Sequence, residues 1–81
     1  MLTLNKKLMI LSELLHNPEN YSYQGWEYRL YDTIKDNIID INKFIQYLSK
    51  KGYVVGDFHS LRITSDGKQY YEKLIQDLKW K

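Results

Sequence analysis

Lys43-Phe44-Ile45-Gln46-Tyr47-Leu48-Ser49-Lys50-Lys51-Gly52-Tyr53-Val54-Val55 is the stretch that decides the fold. At ~100° per residue, Ile41, Phe44, Ile45 and Leu48 converge on one face of a helix, while Lys43, Gln46, Tyr47 and Lys50 converge on the opposite face. The helix is predicted over residues 41–51, with the Asp40 carboxylate as its N-cap. Gly52 ends it as the residue that turns left-handed without steric cost. Tyr53-Val54-Val55 follows at once, and Leu61-Arg62-Ile63 repeats its β-branched, apolar character after a turn over residues 56–60. The two runs predict a short β-hairpin.

Working outward, Thr64 or Ser65 caps a last helix running to about Trp80, with Tyr70, Tyr71, Leu74, Ile75 and Leu78 as its apolar stripe. Upstream, Leu4, Leu8, Leu11 and Leu15, joined by Leu14, give a first helix over residues 5–16, stopped by Asn17-Pro18. Residues 19–24 read as a loop with a short extended piece at Tyr21 to Tyr23. After Gly25, the spacing of Trp26, Leu30 and Ile34 predicts a second helix over residues 26–35. The expected fold class is α+β, mostly α: three helices, a hairpin and a closing helix, in a single domain over residues 1–81.

Eighty-one residues suffice for one core. There is no cysteine, and His16 and His59 stand far apart, so neither a disulfide nor a structural zinc is expected and apolar packing must supply the stability. The longest apolar run near the start, Leu8 to Leu11, is too short for a leader or a membrane span, which points to a cytoplasmic protein with no membrane partner. Net charge is only +2, but residues 37–64 carry four basic and two acidic groups, so the positive excess falls on the helix and hairpin described above. Without a cysteine nucleophile, a glycine-rich phosphate loop, a His-x-x-x-His pair or a grouped acidic motif, the chain reads as a binding protein, with no cofactor and no metal, rather than an enzyme.

The quoted stretch, followed by Leu61-Arg62-Ile63-Thr64-Ser65-Asp66-Gly67-Lys68, resembles the winged helix-turn-helix superfamily: a helix ending in a basic residue, glycine and an aromatic strand, then a wing, then an apolar-Thr-x-x-Gly entry into a closing helix. The resemblance spans about Asp40 to Leu78 and points to the superfamily as a whole. It implies a double-stranded DNA partner, with helix 41–51 in the major groove and the hairpin against the neighbouring backbone. On that basis Lys43 and Lys50 neutralise phosphates or reach guanine, Gln46 pairs with an adenine edge, Asn42 reaches a base or sugar, and Tyr47 bonds to phosphate or touches a thymine methyl. Lys51 and Arg62 flank the helix and anchor the wing, and His59 near its tip adds charge at lower pH. A homodimer through the last helix, using Tyr70, Tyr71, Leu74, Leu78 and Trp80, would read two half-sites; packing of the same stripe on the first helix is the other reading. Two alternatives stay open. The fold could serve as a protein-interaction module anchored by exposed Tyr23, Trp26, Tyr28 and Tyr31, or its rings could stack on single-stranded DNA.

Overall fold

The computed structural model describes residues 1–79. Its first element, α1 (Leu4–His16), starts where the Thr3 hydroxyl accepts from the Lys6 amide at 3.2 Å. Ile10, Leu11 and Leu14 are its buried residues, whereas Leu4, Leu8 and Leu15 are half-buried. The inner face is thus rotated from the 4-8-11-15 stripe, because α1 packs against several elements at once, chiefly the last helix and the second strand of the hairpin, with the following turn and the second helix beside them.

Asn17-Pro18 stops α1, but the chain does not pass into a loop with an extended piece at Tyr21 to Tyr23. It makes a 3₁₀ turn, Pro18–Tyr21, with proline in its first turn, where a missing amide costs nothing. The turn carries Tyr21 fully into the core. A buried phenol needs a partner, and the Tyr21 hydroxyl donates to Glu13 Oε1 at 2.9 Å while Glu13 Oε2 accepts from Asn17 Nδ2 at 2.6 Å.

The second helix, α2 (Trp26–Ile34), ends at Lys35, which takes a left-handed φ of 57°. The carbonyls left free there are met from α1: Lys6 Nζ donates to the Ile34 carbonyl at 2.6 Å and to that of Lys35 at 3.4 Å. A cation at a helix C-terminus also opposes the negative end of the helix dipole.

The third helix, α3 (Ile38–Lys50), begins earlier than residue 41, and Asp40 is not its cap. Asn37 is: its Oδ1 accepts from the Ile39 amide at 2.8 Å and the Asp40 amide at 3.4 Å. Asp40 sits instead in the first turn, where a negative charge favours the positive end of the dipole. Asn37 and Asp40 lie three apart, and either side chain satisfies the general cap preference; the structure selects the earlier one, making Lys35-Asp36-Asn37 the whole connection from α2. At the other end, Gly52 adopts φ +79°. Its amide reaches the Ser49 carbonyl at 3.1 Å and that of Tyr53 reaches Leu48 at 2.8 Å, a Schellman pair that reverses the chain.

Strands β1 (Val54–Asp57) and β2 (Ser60–Ile63) pair antiparallel, Val54 opposite Ile63 and Asp57 opposite Ser60, so the turn is just Phe58-His59, tighter than residues 56–60. The Asp57 carboxylate accepts the His59 amide at 2.8 Å and holds it. Val54, Leu61 and Ile63 face inward; Val55 and Arg62 face out.

Thr64 caps α4 (Ser65–Lys79), its Oγ1 accepting from the Gly67 amide at 3.1 Å and donating to the Gly52 carbonyl at 2.7 Å. Tyr70, Tyr71 and Leu74 pack on the core; Trp80 lies outside the described residues. The fold is α+β and mostly helical, in the layout of a winged helix: three helices, a hairpin and a closing helix. Its core draws on every one of the first three helices and on both strands, and among the described residues no charged side chain is buried in it. No described helix is long and apolar enough to cross a membrane.

Two outcomes follow from this packing. A Cβ added at Gly67 would collide with the Tyr53 carbonyl oxygen and come within 2.7 Å of Ile63 Cγ1. Gly67→Ala is therefore expected to lose about 1–3 kcal/mol in urea unfolding, against alanine's higher helix propensity. The Tyr21 phenol is held above its ordinary range by burial first and then by its bond to, and the charge of, Glu13. Unfolded tyrosine ionises near 10, so the stability that Tyr21 contributes is whole below about pH 10 and is lost as pH rises above it. Thermal unfolding of Tyr21→Phe should fall less steeply than that of the wild type between about pH 9.5 and 11.5.

Candidate nucleic-acid interface

The exposed face of α3 follows from its own core. Ile41, Phe44, Ile45 and Leu48 are buried, which forces Asn42, Lys43, Gln46, Tyr47 and Lys50 outward, and all five are exposed. Asn42, Gln46 and Lys50 succeed one another at four-residue spacing and form the ridge of that face, with Lys43 and Tyr47 forming a second row beside it.

The two flanks of the ridge differ. On the Lys43-Tyr47 side lies a cleft of about 530 Å³ lined by Met1, Leu2, Lys7, Asp40, Lys43, Phe44, Tyr47 and Tyr70, in which the Asp40 carboxylate is paired with the Met1 ammonium at 2.8 Å. Its aromatic wall is fixed: the rings of Phe44 and Tyr47 lie near-parallel with centroids 6.3 Å apart, and those of Tyr53 and Tyr70 stack at 4.4 Å. Lys7 Nζ stands 5.7 Å from the Phe44 ring centre and Lys51 Nζ 5.9 Å from that of Tyr47, so both ammonium groups rest on aromatic faces. Burial, together with the neighbouring Tyr47 hydroxyl, holds the Tyr70 phenol above its ordinary range. This flank is basic and aromatic.

On the Asn42-Gln46 side a groove of about 280 Å³ runs between α3 and the hairpin, lined by Trp26, Asn42, Ile45, Gln46, Ser49, Gly56 and Leu61. None of these residues is charged, and the polar groups among them are amides and a hydroxyl. Trp26 sets the spacing of this groove. It is buried, not an exposed anchor, and its indole Nε1 donates to the Asp57 carbonyl at 2.7 Å, tying the start of α2 to the end of β1.

The remaining candidates are dispersed. Lys51 is the C-cap residue of α3 and lies against Tyr47, on the side away from the hairpin. Arg62 pairs with Val55 on the outward face of the hairpin, not on the Gly56-Leu61 face that borders the groove. His59 is exposed at the tip with its ring 4.2 Å from Phe58, itself 60% exposed. The structure therefore brings Asn42, Lys43, Gln46, Tyr47 and Lys50 together, places Lys51 at their edge, and leaves His59 and Arg62 on a separate projection. Two features were missed from the sequence: Lys7, whose i to i+4 relation to the α1 stripe gives no hint of α3 as neighbour, and Trp26, whose role depends on a carbonyl 31 residues away. Tyr23, Tyr28 and Tyr31 are exposed on and beside α2, apart from Trp26.

Among the described residues no group of three or more His, Cys, Asp or Glu side chains could hold a metal ion. Comparison with protein-family profiles, with curated proteins and with solved structures finds no match to this chain.

Because one indole bond spans the gap between α2 and the hairpin, Trp26→Phe should leave the helices intact by circular dichroism, cost about 1 kcal/mol, and speed amide exchange selectively in residues 54–63. Uniformly faster exchange would instead assign Trp26 a purely packing role.

Proposed function

We propose that this chain is a double-stranded DNA-binding winged-helix protein, a small cytoplasmic regulator that lays α3 in the major groove. The observation that carries the proposal is the continuous outward face of α3, where two lysines, two side-chain amides and a tyrosine stand together opposite a wholly apolar inner face. A major groove admits one α-helix, and those residue types are the ones that meet phosphates and base edges. Lys43 and Lys50 act as phosphate contacts; Asn42 and Gln46 face base edges; Tyr47, propped by Phe44, offers a hydroxyl to the backbone. Lys7 and Lys51 extend the positive field beyond the helix on one flank only, so the strand that lies over the Phe44-Tyr47 cleft is held more tightly than the strand beside the hairpin. His59 and Arg62 supply the wing's contacts.

With a low net charge, a single copy binds weakly, and pairing of two copies would add a second half-site. Tyr70, Tyr71 and Leu74 are engaged with the core, so the dimer contact falls to the exposed Leu78 end of α4.

Fluorescence anisotropy with labelled duplex and single-stranded DNA, across a salt series, tests the reading. Wild-type affinity for duplex should fall with salt, and Lys43→Ala combined with Lys50→Ala should flatten the log-log slope by about 2, one per lost phosphate contact. Preference for oligo-dT would move the function to base stacking. Absence of binding to either form at low salt would overturn the proposal in favour of a protein partner, with Tyr23, Tyr28 and Tyr31 as its contacts.

A further inference from the structure

The earlier start of α3 adds one side chain to its outward face that a helix over residues 41–51 would omit. Ile39 is 61% exposed. Asn42, Lys43 and Gln46 stand three, four and seven residues further on, so at ~100° per residue Ile39 lies within about 60° of each and near the middle of the polar arc. Its neighbours in sequence differ: Ile41 is buried at 1%, and Ile38, at 37%, sits at the margin of the core face.

Ile39 is no part of the hydrophobic core. It is β-branched, which lowers helix propensity, and it hides little surface from water. Of the two exposed aliphatic side chains on α3, Ile38 stands at the edge of the polar arc and Ile39, the more exposed, stands near its middle, among the amides and lysines. Its place in the first turn matters, because helices of this architecture present their N-terminal residues to base edges. In the major groove the apolar group on offer is the C5 methyl of thymine. Ile39 heads the Lys43-Tyr47 row, and Asn42, three residues on in the neighbouring row, has the amide that matches the N6 and N7 groups of adenine.

Resting on the duplex-DNA reading above, we propose that Ile39 is a specificity-determining residue that packs on a thymine methyl, so that the base pair under the first turn of α3 is read as A·T. Ile39 then reads sequence alongside Asn42 and Gln46, while Lys43 and Lys50 hold the backbone without discriminating.

Removing the methyl alone gives the test. A duplex selected by the wild-type chain from a randomised pool is remade with deoxyuridine replacing thymidine, one position at a time, and titrated against wild type and Ile39→Ser, whose helix content is checked by circular dichroism. Wild type should lose about fourfold in affinity at one thymine position, the equivalent of one buried methyl. Ile39→Ser should lose a similar factor on the thymine duplex and nothing further on the deoxyuridine duplex. Salt-sensitive duplex binding that ignores every such replacement would overturn the thymine contact while leaving the DNA reading intact. An equal loss in wild type and Ile39→Ser would place the methyl contact elsewhere and overturn the role of Ile39. Absence of duplex binding by wild type would overturn both readings at once.

Discussion

The structure depends on a junction of four residues at which α3, the hairpin and α4 meet. The Thr64 hydroxyl donates to the Gly52 carbonyl and accepts from the Gly67 amide, while the Thr64 amide donates to the Tyr53 carbonyl at 3.0 Å. One side chain thus satisfies an acceptor just past the end of one helix and a donor at the start of another, both of which would otherwise need water. Gly67 lets the first turn of α4 lie directly on the Tyr53 backbone, and the stacked rings of Tyr53 and Tyr70 continue the same contact outward. The tripeptide Lys51-Gly52-Tyr53 and the spacing Thr64-x-x-Gly67 are therefore two halves of a single joint, separated in sequence by the whole hairpin.

That joint ties the end of α3 to the hairpin and α4, and the Trp26 indole ties the hairpin in turn to the start of α2. Between them α3 is clamped by its apolar face, with its outward face projecting between two depressions of unlike chemistry. The cationic flank is assembled from α1, α3 and α4, and the neutral flank from α2, α3 and the hairpin. No single element carries the asymmetry. It arises because Lys7, distant in sequence, is delivered beside Phe44 by the packing of α1, whereas the hairpin brings only Gly56 and Leu61 to the groove.

Much of this was legible in the chain because it rests on local rules. The inner face of α3, the left-handed Gly52, the two short strands and the Thr64 cap each follow from side-chain chemistry within a few residues. What was not legible rests on choices that local rules leave degenerate or on distant partners. Asn37 and Asp40 are equally good caps by residue type, and the length of the link from α2 decides between them. Tyr21 looks like a loop residue until Glu13, eight positions earlier, is seen to accept its hydrogen bond. Trp26 looks like a surface anchor until the end of β1 closes over its ring nitrogen. For the outward face, sequence periodicity found the side chains but not the flanks, since the flanks are made by neighbours in space.

The separation between the clamped and the outward faces of α3 has a consequence for how such a chain can change over generations. Gly52, Thr64 and Gly67 each answer to backbone atoms, so drift at those positions is paid at once in folded population. Among the described residues the side chains of Asn42, Lys43, Gln46 and Lys50 make no hydrogen bond or salt bridge, so they can be exchanged one at a time while the scaffold stays the same. Preference for a ligand is thereby free to diverge rapidly among descendants whose architecture is held constant, and sequence similarity across the helix fades sooner than similarity at the joint.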